Sequence, residues 1–482
     1  MPLRAGVSKR EITTDAGGTR VSDPLFAKAL ILDDGKTKLV IISMDVIAIG
    51  GLGDVSDEFL PRLRHRIETE LHIPGCCVLV NASHTHPQGR LLCDDEEQIE
   101  RTFDAVRTAM QNMIMVKAGS GIGHEDRIVV NRNLTMKNGS HWSIRYAHPG
   151  PQDNEVADIG SIDPEIGLIR IDRMDGQPLA VVFNYACHQL IGVPDQGITA
   201  NYSGFACKVI EENLGNGAMA LFLQGAGGDI LEVYFKDVNR PRNCEHTGTM
   251  LGLSALRAIR TIKTSPAELR VVSERVQLPR RKDIPQVIES RLLQQAEVLE
   301  SMTTTCLDFK SFLPLYLKYS LNAHYPGDHL YRYWQEERIG SRELTLMDDH
   351  NRHNLDRYLT NIHNMEKLIR IQEDISTLTK HVAMNREAGY EDIDTEIMGV
   401  KIGECAILTA PAELLVDVGL RLKSVSPYDH TIISAFTNGY YHYAAPVDHY
   451  AKGGYEVMEC MLSPEWQSIY ETKVGEILQK LL

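Results

Sequence analysis

Lys38-Leu39-Val40-Ile41-Ile42-Ser43-Met44-Asp45 is the stretch that decides the fold class. Its unbroken apolar run is too short for a helix and predicts a buried strand. Working outward, Phe59, Leu63 and Ile67 recur at helical spacing, and Cys77-Val78-Leu79-Val80 is a second apolar strand. Ile99, Phe103, Val106, Met110 and Met113 step by four and three along an amphipathic helix. Leu179 to Tyr185 reads as a third strand and Met219 to Leu223 as a fourth. Between them Ser203 can N-cap a helix that carries Phe205, Val209 and Leu214 and stops at Gly215. This alternation predicts an α/β fold of mixed β-sheets flanked by helices.

The pattern changes near residue 283. Asp283 can cap a helix bearing Ile288, Leu292, Ala296 and Leu299, and Leu355, Leu359, Ile362, Met365 and Ile369 predict another. Strand patterns return at Met398 to Leu408. One catalytic domain over 1–482 is expected, with 283–395 as a largely helical insertion that covers the site or serves self-association. No repeat or low-complexity run stands out.

Composition narrows the function classes. The 482 residues hold 50 Lys+Arg against 65 Asp+Glu, a net charge of −15. Nucleic acid and anionic lipid both repel such a chain, so neither is expected as a general partner. The most apolar stretch, Leu39 to Leu52, contains Asp45 and is shorter than the roughly 20 residues a bilayer requires. The N-terminus runs directly into patterned sequence without the apolar region of a secretory signal. Nine scattered cysteines, without a CxxC, read as reduced thiols. A cytoplasmic protein is the expectation.

Five segments could carry chemistry. Asn81-Ala82-Ser83-His84-Thr85-His86-Pro87 follows a strand, and in extended chain His84 and His86 face the same side. Such a pair suits a metal, though two polar loop histidines are the plainer reading. Asn184-Tyr185-Ala186-Cys187-His188-Gln189 places a third histidine after a strand. Its neighbour Cys187 faces the opposite way, which disfavours a thiol–imidazole pair. Gln224-Gly225-Ala226-Gly227-Gly228-Asp229 lacks both the P-loop and the dinucleotide spacing, and suits close backbone approach to a substrate or a tight turn. Ala410-Pro411-Ala412-Glu413 offers a carboxylate ahead of a predicted helix, Leu414 to Leu422. Thr437-Asn438-Gly439-Tyr440-Tyr441-His442-Tyr443 and Gly453-Gly454-Tyr455-Glu456 supply tyrosines that matter only if they converge on a site.

In this order the segments resemble the neutral/alkaline non-lysosomal ceramidase family. Ala5 to Thr13, Asp23 to Leu30 and Ile198 to Gly204 are similar to that family as well, so the resemblance spans about 1–260 and 396–460. It implies a zinc-dependent amidase with one zinc per chain, held by His84, His188, Glu413 and Tyr443, with Tyr440 as the alternative to the last. His86 would act beside the metal and its water, and Tyr455 would stabilise the transition state. Gly225, Gly227 and Asp229 are the expected substrate-binding residues. A zinc ion with an open position makes water acidic enough to attack an amide near neutral pH.

The chain also departs from the family. Gly228-Asp229-Ile230-Leu231-Glu232 stands where the ceramidases have Gly-Asp-Val-Ser-Pro, so Leu231 occupies the serine position. Pro87-Gln88-Gly89 replaces Ser-Gly-Pro, and Asn201 replaces an aspartate. The expected function is therefore metal-dependent cleavage of a small amide or N-acyl substrate, with ceramide itself left open. Two other readings stand beside it: a ceramidase fold without catalysis, and a cysteine or serine hydrolase using Cys187 or Ser203.

Overall fold

The computed structural model describes residues 2–13, 18, 20–51, 55–86, 95–145, 149–326 and 330–482. Pro87-Gln88-Gly89 lie outside them. The chain divides into two compact units, Met1–Lys282 with Ala388–Leu482, and Asp283–Glu387.

The first unit is built on two sheets. Eight strands run in the order Met219–Gln224, Pro178–Tyr185, Glu165–Arg173, Ile114–His124, Arg4–Glu11, Phe26–Asp33, Lys38–Met44 and Val78–Ala82. The two outermost pairs are parallel and the inner pairs antiparallel. The mixed sheets flanked by helices that the sequence predicts are thus present. A second sheet orders Leu269–Leu278, Ile393–Ile402, Cys405–Thr409 and His430–Ser434, its last pair again parallel.

Period-two alternation assigns the faces. In Lys38–Met44, Val40 and Ile42 pack with Phe59, Leu63, Ile67, Phe103 and Val106 from two helices. Leu39 and Ile41 point the other way, into a core shared with Met398, Val400, Ile407 and Ile432 of the second sheet. Both faces are covered, so the sequence shows a continuous apolar run rather than alternation. On its far face the second sheet lays Ile397, Ala406 and Leu408 against Val474, Ile477 and Leu481 of the helix Trp466–Leu481. The result is helices, sheet, sheet, helices.

One predicted helix face is offset. The helix Asn201–Leu214 buries Tyr202, Ala206 and Ile210 on the sheet side. Phe205 and Val209 instead meet the helix Glu245–Ile259, where side chains added at Gly248 and Gly252 would lie 2.5 and 2.8 Å from their Cβ atoms. Small residues four apart let the two helices approach, and they sit outside the window the apolar pattern was read from. Ser203 is also not the N-cap. It lies inside the helix, donating to Gln189 Oε1 at 2.9 Å.

The second unit is helical: Ile284–Ser301, Phe309–Leu321, Leu330–Ile339 and Glu343–Glu387. The last is one continuous helix of 45 residues, roughly 70 Å long. Gln295 bonds Gln372 and Arg291 pairs with Asp374 across its contact with the first helix. Asp348 accepts from the Tyr319 and Tyr333 hydroxyls. The strands that flank this insertion, Leu269–Leu278 and Ile393–Ile402, are antiparallel neighbours paired from end to end, with Leu278 opposite Ile393. Among the described residues no helix is long and apolar enough to cross a membrane.

Candidate metal centre

The segments that carry candidate residues leave the carboxyl ends of strands in parallel pairs: Val78–Ala82, Pro178–Tyr185, Met219–Gln224, Cys405–Thr409 and His430–Ser434. Within each pair the parallel run sets two neighbouring carboxyl ends side by side, the kind of place where open α/β folds gather their sites. Buried amides lock the ends together. Asn81 Nδ2 donates to Ser434 Oγ, Ala435 O and Thr437 Oγ1, while its Oδ1 accepts from Gln224 N. Asn184 Nδ2 bridges Leu223 O and Ile433 O. Three chain crossings are thereby fixed at one point.

His84, His86 and His188 are brought together there. His84 leaves its strand with a positive φ of 65°, and its backbone N–H donates to Val46 O at 2.9 Å. His84 Nδ1 lies 2.7 Å from Ile47 O, and His188 Nδ1 lies 2.7 Å from Gly227 O. A carbonyl can only accept, so both Nδ1 atoms carry the proton and both Nε2 lone pairs face inward. Those Nε2 atoms stand 3.7 and 3.1 Å from Glu413 Oε2. His86, the exposed member of the group, sets its Nε2 at 3.1 Å from that of His84.

Glu413 departs from the expected helix start. It lies in a two-residue strand, Glu413–Leu414, paired in parallel with Tyr443–Ala444 so that Glu413 is opposite Tyr443. The helix begins only at Val416. The carboxylate therefore projects from strand into the histidine group. Tyr440 Oη donates to its Oε1 at 2.6 Å. Tyr443 Oη lies 3.4 Å from His188 Nε2, on the side of the histidines.

Electrostatics favour cation binding. Burial pushes His84 down to about 4, which keeps its imidazole neutral and its lone pair available. Burial works against charge on Glu413; the Tyr440 hydroxyl that donates to its Oε1 works for it, as does any positive charge on the imidazole side. Two imidazole nitrogens, each ring oriented by a backbone carbonyl, and one carboxylate oxygen are a donor set that zinc takes, and the carbonyls supply the support behind the ligands that such rings need.

The sequence reading missed Arg132. It is 4 % exposed and donates from Nη2 to Tyr443 Oη at 2.9 Å and to Gly228 O at 2.7 Å. Its Nε donates to Glu456 Oε1 at 2.6 Å, and Glu456 Oε2 accepts from Ser143 Oγ. The guanidinium also lies 5.2 Å from the Tyr455 ring, with Arg145 over the same ring at 4.0 Å. The only signal in the chain is a polar break, Asn131-Arg132-Asn133, between strands, and that alone names no partner.

Gly225, Gly227 and Asp229 act on their surroundings through the backbone and the strand ends. A side chain at Gly225 or Gly227 would come within 2.9 or 2.7 Å of the backbone at Tyr185 and Cys187. Asp229 is buried, accepting from Val416 N and Asn131 Nδ2. Leu231, in the family's serine position, is buried as well. Beside it Glu232 Oε2 accepts from Leu190 N and Ile191 N at 2.9 and 2.8 Å, pinning the chain just past His188. Burial raises this carboxyl to about 7 from its ordinary 4.5, against the pull of those two amides. The folded protein thus holds the proton more tightly than the unfolded chain. The stabilisation is complete below about pH 4.5 and is lost as pH rises through about 7, amounting to about 3 kcal/mol by about pH 9. Glu232→Gln keeps an oxygen for both amides, so it should flatten this part of the stability–pH curve in urea unfolding.

Comparison with protein-family models finds no match, and comparison with curated proteins finds no sequence relative. Solved structures do match. Neutral ceramidase from Pseudomonas aeruginosa superposes with a TM-score of 0.62 at 14% identity, over 100% of this chain and 74% of that one. A ceramidase complexed with C2 gives 0.61 at 15% identity, over 100% of this chain and 75% of that one. At such identity the likeness is one of architecture: the chain has the neutral ceramidase fold.

Proposed function

We propose that this chain is a zinc-dependent hydrolase of a linear amide, cleaving a small N-acyl substrate with water. The observation that carries the reading is the convergence of His84 Nε2, His188 Nε2 and Glu413 Oε2, with both imidazoles turned inward by backbone carbonyls. These three and Tyr443 would hold one zinc. The Tyr443 hydroxyl beside His188, against a Tyr440 hydroxyl given to the outer oxygen of Glu413, supports that choice of tyrosine. When bound, zinc supplies Lewis acidity, polarising an amide carbonyl and making water more acidic.

The chain's own residues do the rest. His86, at the rim with a neutral ring nitrogen beside His84, moves the proton between water and leaving amine. Tyr455, whose ring lies 5.5 Å from that of Tyr443, donates its hydroxyl to the oxyanion. The glycine loop serves through its backbone, Gly227 orienting His188 and Gly228 holding Arg132. A cytoplasmic setting belongs to the same proposal and is supported by the free thiols among the described cysteines. The helical unit is proposed as an accessory to substrate choice.

Cys187 and Ser203 have little support as nucleophiles. Cys187 is buried, its thiol pushed well up, and its Sγ contacts the His188 carbonyl rather than a ring. Ser203 bonds Gln189 and Ala200. A fold retained without catalysis is favoured by one observation, the buried Leu231 in the serine position.

The test is metal analysis of protein purified without added zinc, joined to a screen of N-acyl amides of graded chain length. Stoichiometric zinc and zinc-dependent turnover are expected; metal without turnover of any amide would select the non-catalytic reading. Two tyrosine variants then separate the roles. Tyr455→Phe should keep zinc and lower kcat by about 10²–10³-fold with KM little moved. Tyr443→Phe should weaken zinc binding itself. Full activity in a folded Tyr455→Phe protein would remove its assignment.

A further inference from the structure

The hairpin that leads away from Arg132 ends on a buried hydroxyl. Its strands, Asn133–Met136 and His141–Ser143, pair antiparallel with Ser143 opposite Asn133. Ile144 N donates to Arg132 O at 2.8 Å, so the register brings the chain at Ser143 back beside Arg132. Ser143 is fully buried. Its Oγ lies 3.1 Å from Tyr455 N and 2.7 Å from Glu456 Oε2, with Asn133 Oδ1 also in reach. A backbone N–H can only donate, so Oγ accepts from Tyr455 and turns its own proton toward the oxygens of Glu456 and Asn133. The other oxygen of Glu456 accepts from Arg132 Nε at 2.6 Å, and that guanidinium stands 5.2 Å from the Tyr455 ring.

Tyr455 comes to this hydroxyl over two glycines in the left-handed region, Gly453 at φ 73° and Gly454 at φ 107°. Side chains other than that of glycine rarely tolerate such backbone. A Cβ at Gly454 would stand 3.3 Å from His141 Cβ and 3.4 Å from Ser143 Oγ, so the chain passes close over the strand His141–Ser143. Tyr455 opens the short helix Tyr455–Met458, and its N–H is one of those a helix start leaves without an internal partner. Ser143 supplies that partner. The backbone of Tyr455 is thereby tied to Ser143 directly, and the cation beside its ring is tied to Ser143 through Glu456.

We propose that Ser143 is a positioning residue for Tyr455, setting both the backbone that carries the ring and the arginine that flanks it, so that the Tyr455 hydroxyl meets the oxyanion. The proposal rests on the hydrolase reading above and on the role given there to Tyr455, and it adds the group on which that role depends. A donor stabilises a developing charge from a fixed place, and a misplacement of about 1 Å can cost about 10²-fold in rate. Ser143 acts through Tyr455 and not on the substrate.

The test is Ser143→Ala in the full zinc-loaded chain, on an N-acyl amide that the wild type cleaves. kcat should fall by about 10–10²-fold, with KM and zinc content unchanged. A phosphinate analogue of the tetrahedral intermediate should bind the variant more weakly by the same factor. In a Tyr455→Phe background, Ser143→Ala should change kcat by less than about twofold, because the hydroxyl it positions is already gone. A scaffold role predicts equal losses in the two backgrounds. Gly454→Ala repeats the experiment with the Ser143 hydroxyl in place: its methyl would crowd the strand and displace Tyr455, and the loss in kcat should again vanish in Tyr455→Phe. Should Ser143→Ala fail to fold, the Gly454→Ala cycle decides. Wild-type kcat in folded Ser143→Ala, or a loss carried undiminished into Tyr455→Phe, would overturn the positioning role. Wild-type protein that holds zinc and turns over no amide would instead overturn the hydrolase reading, and it shows before any variant is made.

Discussion

Glu413→Gln should yield a folded protein that has lost both its zinc and its amide hydrolysis. The substitution keeps size and shape. The glutamine carbonyl can accept from the Tyr440 hydroxyl in place of Oε1, and its amide can donate to the His188 Nε2 lone pair, 3.1 Å from the present Oε2. Hydrogen bonding therefore survives, and one buried negative charge disappears. Without a cation, Glu413 is a carboxylate at 3% exposure facing two imidazole lone pairs, an arrangement that a neutral amide relieves. The thermal midpoint of metal-free protein should hold or rise. On the proposed reading zinc affinity should fall by more than the roughly 10–100-fold that follows loss of a group merely supporting a ligand, because a carboxylate that would touch the metal is gone. Metal content by mass spectrometry, the melting curve and turnover of an N-acyl amide read the three effects separately. Stoichiometric zinc in folded Glu413→Gln would sink the ligand assignment.

That outcome turns on residues the sequence exposes unequally. His84 and His188 were legible because each follows an apolar strand within a short, distinctive motif; what joins the two strand ends, Asn81 bonded to Gln224 N and Ser434 Oγ, was not. Glu413 was legible by the same logic, though its local structure was misread. A helix beginning at Leu414 looked natural because Leu414, Leu415 and Val418 are apolar. What sets Glu413 in a strand is its pairing with Tyr443, thirty residues on, and long-range pairing leaves no local period to read. The offset face of the helix Asn201–Leu214 has the same origin, a contact with glycines of another helix. Arg132 was illegible for a further reason. Its worth lies in four partners, Glu456, Tyr443, Gly228 and the Tyr455 ring, and all lie about a hundred residues or more away in sequence.

Arg132 also provides the sharper division between fold and chemistry. The guanidinium and Glu456 are both buried and joined at 2.6 Å, with burial opposing both charges and each partner restoring the other's. Arg132→Met leaves the Glu456 carboxylate buried with Ser143 as its side-chain donor and no cation beside it, and should cost about 3–5 kcal/mol. Glu456→Gln should cost a similar amount by stranding the guanidinium. The double variant removes both charges together, and buried pairs exchanged for neutral groups are often close to neutral in stability. Urea unfolding should therefore return to within about 1 kcal/mol of the wild type, with a coupling energy of at least about 5 kcal/mol in the cycle. Turnover should not return. Tyr443 Oη would still lack the donor that holds it beside His188, and the cation over the Tyr455 ring would be gone, so kcat/KM should stay down by about 10²-fold. A purely structural ion pair predicts the opposite, with activity and stability recovering in step. Recovery of turnover in the double variant would place Arg132 in the scaffold, whereas stability restored without turnover would place it at the chemistry.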